Sequence, residues 1–143
     1  MFKGEYSHSI DDKGRLIMPA KYRELLGEGF VITRGFDKCL FVFDQKDWDK
    51  FEEDLRSLPI SKKNARDLQR FFIGGAVDAE IDKQGRVLVP QVLRKFANLE
   101  KDVVLIGVGG HIEIWNSDAW ESGGSFDDVD EIAEQLSDLG IVL

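Results

Sequence analysis

The sequence predicts an α+β fold, mainly β, in which two copies of one motif share a single β core. The chain of 143 residues is 43% hydrophobic and 32% charged, a balance that supports a buried core. A 14-residue segment occurs twice, as IDDKGRLIMPAKYR from Ile10 and as IDKQGRVLVPQVLR from Ile81. One copy, at under about 50 residues, would bury too little surface to fold alone. We therefore expect the two copies to fold together.

The repeat sets the predicted domain organisation. The two segments pair at an offset of 71 with six of 14 positions identical, and at an offset of 72 the similarity continues to Trp48 and Trp120. The one-residue length change falls where a loop tolerates it. Four divisions follow: a first repeat (5–48), a helical connector (49–75), a second repeat (76–121) and an acidic C-terminal extension (122–143).

Each copy is predicted to begin with two short strands joined by a tight turn. Apolar and polar residues alternate up to Ile10, the period of a half-exposed strand. A glycine in each turn supplies the positive φ that the turn requires, and the aspartate before it can accept hydrogen bonds from turn amides. The residues assigned to bracing the two turns are Asp11, Gly14, Asp82 and Gly85.

A short helix and a hairpin complete each copy. Pro19 and Pro90 suit the first helical position, and Gly27 and Asn98 suit the exits. The hairpin strands are predicted over 30–33 with 39–43, and over 103–107 with 111–115.

Two helices are predicted between the copies, and one after them. Asp44 is the expected N-cap of the first, and Ser61 of the second. The second helix is expected to turn Ala65, Leu68, Phe71 and Phe72 inward. Ser122–Ser125 is expected to be a flexible joint, and residues 126–139 an acidic amphipathic helix.

Composition argues against several functional classes. No apolar run is long enough to cross a bilayer, and the N-terminal MFKGEYSHSI lacks the apolar stretch of a signal sequence. One cysteine, Cys39, and two histidines, His8 and His111, form no predicted disulfide or thiolate metal site. No nucleophile, base and oxyanion donor can be assembled. We expect no membrane partner, no cofactor, no metal and no catalysis.

Basic residues concentrate in the two copies although the net charge is −8. Residues 97–143 carry −10, so residues 1–96 carry +2. An approaching polyanion senses local charge, because fields decay over a Debye length of about 10 Å. The candidate nucleic-acid contacts are Lys13, Arg15, Arg23, Lys83, Arg86 and Arg94.

Arg15 and Arg86 follow the turn glycines directly, so we expect each guanidinium at a hairpin tip. An arginine there can form a bidentate pair with a guanine edge or a phosphate. Asp11 and Asp82 would repel phosphate, and ion pairs that brace the turns are their favoured role. Both roles are compatible within one turn.

The remaining basic residues have less specific predicted roles. Lys13 and Lys83 flank the turns as point charges for phosphates. Arg23 and Arg94 lie on the short helices, where a solvated helix-end charge and a phosphate contact are equally supported.

Three segments of the sequence resemble the MraZ family of bacterial transcriptional regulators. They cover residues 1 to about 121 and read MFKGEYSHSIDDKGRLIMPAKYR, AVDAEIDKQGRVLVPQVLR and VLIGVGGHIEIW. Two D-x-x-x-R turns, each followed by apolar residues and a proline, carry the resemblance. It implies two tandem SpoVT/AbrB-like swapped-hairpin units that form an intrachain pseudo-dimeric barrel with short helices.

The resemblance also implies a function. Its members assemble into rings and bind short G-rich direct repeats of double-stranded DNA upstream of a division and cell-wall gene cluster. This implies a cytoplasmic, nucleoid-associated protein whose DNA contacts are Lys13, Arg15, Lys83 and Arg86. Gln84 stands where the first copy has Lys13, a departure that weakens the second turn.

Two other classes stay open at this point: an RNA-binding regulator, and a non-catalytic scaffold whose basic turns dock acidic partners. The acidic extension also has two interpretations. It is either a solvated helix that keeps the protein in solution or an electrostatic cover over the basic face when DNA is absent.

Overall fold

The computed structural model describes residues 1–123 and 126–142. The first copy contains β1 (Phe2–Ser9), β2 (Arg15–Ile17), α1 (Ala20–Leu26), β3 (Gly29–Arg34) and β4 (Leu40–Asp44). The connector contains α2 (Gln45–Arg56) and α3 (Lys63–Phe72). The second copy contains β5 (Val77–Glu80), β6 (Arg86–Leu88), α4 (Gln91–Phe96), β7 (Asp102–Gly109) and β8 (Ile112–Asn116). Two further helices follow, α5 (Ser117–Gly123) and α6 (Val129–Asp138).

The two copies exchange strands. The main sheet is antiparallel with the order β1-β7-β8-β4-β3-β5, so the first strand of each copy pairs with the hairpin of the other. β4 and β8 join the two hairpins, and β2 and β6 pair with each other in a separate two-stranded sheet. The α+β, mainly β fold class and the swapped-hairpin arrangement of the two copies are therefore confirmed.

The main sheet is open, with β1 and β5 at its two edges. The predicted barrel therefore does not close among the described strands. β2 and β6, of three residues each, pair with each other and not with the edge strands. They lie over one face of the sheet instead, where the buried Leu16 and Val87 join the larger core cluster.

Alternation along the strands divides the apolar residues between two cores. Leu40 and Val42 of β4 face the larger cluster, which packs under α1, α4 and the β2–β6 pair. Phe41 and Phe43 face the smaller cluster, which α2 and α3 cover. The central strands β3 and β4 are therefore buried on both faces, and the β2–β6 pair lies over one of those faces.

The helix ends agree in part with the sequence. The Asp44 carboxylate accepts a hydrogen bond from the Asp47 N–H at 2.7 Å, so the first predicted N-cap is confirmed. The prediction for Ser61 is wrong, because α3 begins two residues later with Lys62 at the N-cap and no capping side chain. Leu68, predicted to face inward, is 38% exposed.

The predicted prolines and exits lie within one residue of their expected places. Pro19 and Pro90 are the N-cap residues of α1 and α4, one position before the first helical residue. Gly27 ends α1 with a φ of 70°. Asn98 follows α4 in the left-handed region with a φ of 52°.

The C-terminal part is only partly as predicted. α5 extends to Gly123, into the predicted joint, while residues 124 and 125 lie outside the described residues. α6 begins at Val129, later than predicted, and buries none of its residues. Across residues 1–123 and 126–142, the helices are all too short or too polar to span a membrane.

Candidate nucleic-acid interface

The first turn is organised by one carboxylate. Asp11 Oδ1 accepts hydrogen bonds from the N–H groups of Lys13 at 3.0 Å and Arg15 at 2.9 Å. Asp11 Oδ2 accepts from Arg15 Nε at 2.7 Å. Gly14, at a φ of 87°, donates its N–H to the Asp11 carbonyl at 2.9 Å. The turn and the arginine that follows it are therefore held by the same side chain.

The second turn repeats this geometry. Asp82 Oδ1 accepts from the N–H groups of Gln84 at 2.8 Å and Arg86 at 2.9 Å. Asp82 Oδ2 accepts from Arg86 Nε at 2.9 Å, and Gly85 has a φ of 78°. Gln84 contributes only its backbone here, so the replacement of a lysine leaves the turn geometry unchanged and removes a charge.

Hydrogen bonds keep both carboxylates ionised. The backbone N–H of Arg15 is the main cause that lowers the pKa of Asp11, with the Arg15 side chain adding to it. The backbone N–H of Arg86 does the same for the pKa of Asp82. Each aspartate therefore carries its charge, and holds its arginine, well below neutral pH.

The two arginines share one exposed surface. In the antiparallel β2–β6 pair, Arg15 lies opposite Leu88 and Ile17 lies opposite Arg86. Ile17 and Leu88 are 49% and 57% exposed, whereas Leu16, between Arg15 and Ile17 on the chain, is fully buried. We call the surface formed by Arg15, Ile17, Arg86 and Leu88 the ribbon face.

Each turn is also held by the opposite copy. The Val89 N–H donates to the Gly14 carbonyl at 2.9 Å, and the Met18 N–H donates to the Gly85 carbonyl at 3.0 Å. Arg94 Nε donates to the Val89 carbonyl at 2.9 Å. The strand ends and the turns therefore form one connected hydrogen-bonded unit across the two copies.

Arg23 and Arg94 lie against the turn of the other copy. A side-chain carbon on Gly14 would come within 2.8 Å of Arg94 Nε, and one on Gly85 would overlap Arg23 Nη1. Both arginines are half-buried. Sequence reasoning placed them on their own helices and missed this crossing, because nothing in a single repeat indicates which copy its helix will cover.

The ribbon face has the shape and donors for recognising a duplex. Asp11 bonds to Arg15 Nε, and the two terminal nitrogens have no partner within residues 1–123 and 126–142, so they are available for a bidentate contact; Arg86 has the same arrangement. The major groove of B-DNA admits a two-stranded ribbon, and arginine pairs there with guanine O6 and N7. The exposed side chains of Lys13 and Lys83 flank the ribbon at its turns.

Cys39 and His111, whose side chains are reactive residue types, are packed against other residues of the fold. Cys39 is buried, and burial is the main cause that raises the pKa of its thiol. The His111 ring packs 4.2 Å from that of Phe41 and contacts Glu113 at 3.3 Å. In the described part of the chain, His, Cys, Asp and Glu form no group of three or more that could hold a metal ion.

Comparisons with known proteins agree on one family. A family model described as "MraZ protein, putative antitoxin-like" matches residues 1–71 and again 72–126. A transcriptional regulator MraZ of Thermoanaerobacter sp. (strain X514) is 53% identical over 143 residues, covering 99% of this chain and 100% of the relative. Transcriptional regulators MraZ of Lachnoclostridium phytofermentans and Acetivibrio thermocellus are 53% and 50% identical, each covering 99% of this chain and 99% and 100% of their own lengths.

Proposed function

The chain belongs to the MraZ family, and on this premise we propose that it is a transcriptional regulator that binds double-stranded DNA through the ribbon face. The observation that carries the proposal is the pair of arginines, Arg15 and Arg86, each fixed by an aspartate on an exposed two-stranded ribbon. A fixed guanidinium loses little conformational freedom on binding, so its hydrogen bonds contribute to affinity and specificity. The protein acts by binding and not by catalysis.

We propose that the site it reads is rich in guanine. Arg15 and Arg86 are the base-reading residues, and Lys13 and Lys83 contact phosphates. Arg23 and Arg94 support the interface indirectly, because each holds the turn of the opposite copy. Asp11, Gly14, Asp82 and Gly85 keep the two turns in shape. We propose the same four divisions of the chain that its sequence predicts, with the two repeats at 5–48 and 76–121.

We also propose that the protein forms a ring and engages short direct repeats upstream of the division and cell-wall gene cluster. The two copies in one chain differ in sequence, so contacts between chains can join unlike surfaces, which close into rings or extend into filaments. A ring presents many ribbon faces, and repeated sites then bind by avidity. As part of this proposal the protein acts in the cytoplasm, at the nucleoid.

Duplex DNA is favoured over RNA by the geometry of the ribbon. The deep, narrow major groove of an A-form helix excludes side chains, whereas that of B-DNA accepts a ribbon of this width. Competition of a DNA duplex with double-stranded and with single-stranded RNA of the same sequence separates the two classes. Preference for either RNA would contradict the proposal.

The decisive experiment is a salt titration of binding to a duplex with repeated G-rich sites and to a scrambled duplex. Arg15→Ala is expected to lose about 1–3 kcal/mol of discrimination per engaged site. Lys13→Ala is expected to weaken binding to both duplexes equally and to lower the salt slope by about one unit per site. Lys50→Ala is the matched control, because Lys50 is an exposed charge on α2, over the opposite face of the sheet.

If Arg15→Ala weakens binding to both duplexes by the same factor, Arg15 is a phosphate contact and the base-reading role is wrong. A protein that retains neither duplex at physiological salt would exclude DNA binding altogether. The scaffold alternative would then be the stronger one.

A further inference from the structure

The last helix of the chain carries an apolar stripe that faces solvent. Val129, Ile132 and Leu136 are 50%, 44% and 37% exposed, and with Ala133 they follow the spacing of one helical face. Residues 126–142 contain six acidic residues and no lysine or arginine. α6 is therefore an acidic amphipathic helix whose apolar side is not covered by the described chain.

Comparison of the two copies shows that this stripe is unusual. α3 and α6 hold the same place in chain order, since each is the second helix after the last strand of its copy. α3 buries Ala65 and Phe72 against its own chain, whereas α6 buries none of its residues. The second helix after the last strand therefore packs against its own chain in the first copy, whereas the described chain leaves its apolar side uncovered in the second copy.

An open apolar groove lies at α3, on the other half of the molecule. It has a volume of about 730 Å³. Its apolar lining includes Phe36, Leu58, Pro59, Leu68 and Phe71. Phe36 and Leu68 are 58% and 38% exposed, so the groove presents apolar surface that this chain leaves uncovered.

The helix that forms one wall of the groove, α3, is basic in an acidic protein. Residues 62–70 contain Lys62, Lys63, Arg66 and Arg70 against Asp67 alone, a local charge of +3. Asp67 bonds to Lys63 at 2.7 Å and to Arg70 at 3.1 Å. Asp67 lines the groove, and these two cations offset its charge there. Arg66 and Arg70 line an adjoining groove on α3. Lys62 and Arg66 make no ion pair within residues 1–123 and 126–142, so α3 as a whole retains positive charge. An acidic helix with an apolar stripe complements this surface in both respects.

We propose that α6 of one copy packs its apolar stripe into the α3 groove of a second copy, with its carboxylates beside the basic residues of α3. In its own chain, α6 starts next to α5, where the ring of Phe126 lies 6.1 Å from that of Trp120. Trp120 itself donates to Glu5 on the edge strand β1, while α3 packs on the opposite half, beside β3. The contact joins unlike surfaces, head to tail, and rests on the self-association part of the proposed function.

Light scattering of the full chain and three point variants tests the contact. Leu136→Asp places a charge in the stripe, and Leu68→Asp places one in the groove. We expect both to lower the oligomer mass at micromolar concentration. Gln135→Asp adds the same charge to the polar side of α6, next to Leu136, and is expected to keep the mass of the unchanged protein.

Mixing the two disrupted variants gives a sharper result. The Leu68→Asp chain keeps an intact α6, and the Leu136→Asp chain keeps an intact groove. In an equimolar mixture, α6 of the first can therefore bind the groove of the second, and no other pair of surfaces is intact. We expect dimers in the mixture and none in either variant alone. No dimer in the mixture would overturn the head-to-tail contact.

Cysteine cross-linking identifies which chain supplies the helix. Leu136→Cys and Leu68→Cys chains, mixed and oxidised, are expected to give a disulfide-linked dimer, whereas Gln135→Cys with Leu68→Cys gives little. The native Cys39 is buried and does not compete. A doubly substituted chain that links only within itself would assign the groove to its own α6 and overturn the proposal.

The outcomes separate this inference from the proposed function. A monomeric unchanged chain overturns both the self-association and the contact. An oligomer whose mass is the same in all variants overturns the contact alone. Thermal melting of each variant checks that it is folded, and retention on the G-rich duplex reports the ribbon face independently.

Discussion

Replacing Gly14 with alanine is expected to be one of the most damaging small changes in the molecule. Gly14 has a φ of 87°, a region that costs a residue with a side chain about 1–2 kcal/mol. Its added carbon would also lie 2.9 Å from the Val89 carbonyl oxygen and 2.8 Å from Arg94 Nε. A backbone carbonyl cannot rotate away, so overpacking adds about 1–3 kcal/mol. Together the loss of unfolding free energy is about 2–5 kcal/mol.

Gly109→Ala is the matched control. Gly109 has a φ of 95°, but an added carbon there meets only Met1 Cε, at an ordinary 3.6 Å. Gly109→Ala should therefore lower the unfolding free energy only by the cost of the positive φ, about 1–2 kcal/mol. Urea denaturation measures the difference, at one protein concentration because self-association makes stability depend on concentration. Gly14→Ala should also lose retention on the G-rich duplex, since the Val89–Gly14 hydrogen bond holds the ribbon end. Equal losses of stability in the two variants would refute the crowding argument.

Three further predictions concern single interactions. Arg94→Ala removes the hydrogen bond to a backbone carbonyl and should lower the unfolding free energy by about 0.5–1.5 kcal/mol in urea, whereas Lys95→Ala, exposed on the same helix, should not. Asp44→Ala removes the cap of α2 and should cost about 0.5–2 kcal/mol, whereas Ser61→Ala should cost nothing measurable. The pKa of Asp11 and that of Asp82 lie below the ordinary 3.8, so these carboxylates stabilise the fold fully above about pH 4 and lose the effect as pH falls through the lowered values. Thermal melting between pH 7 and pH 2 measures this. The Asp11→Asn and Asp82→Asn chains should be less stable than the unchanged protein at neutral pH and equally stable at the acid end. A difference in stability that is constant with pH would contradict this.

The parts of the structure that sequence predicted are those set by neighbouring residues. The two turns depend on an aspartate and a glycine three residues apart, and the cap at Asp44 on an amide three residues on. Ser61 had the right residue type for an N-cap, but α3 begins two residues later, at Lys63, and its first buried residue is Ala65.

The parts that sequence did not predict are set by the exchange between copies. The placement of Arg94 over Gly14 follows from β2 pairing with β6, a contact between residues far apart in the chain. The open sheet has the same origin, because β2 and β6 satisfy each other's backbone and leave β1 and β5 as edges. The repeat revealed that the copies are equivalent, and only the structure shows which atoms of one meet which atoms of the other.

The strand exchange also determines when this chain can fold. β1 pairs with β7 from Phe2 with Gly109 to Ser9 with Asp102, so the first strand to leave the ribosome waits for about a hundred further residues. At roughly 5–20 residues per second this wait lasts on the order of 5–20 seconds. During the first part of that time, before residues 77–80 are made, the hairpin β3–β4 has neither β5 nor β8 beside it, and β8 is made only after β7. Folding must close long loops before strand pairing stabilises them, which makes it slow, and the first half of the chain exposes apolar strands until the second half is complete.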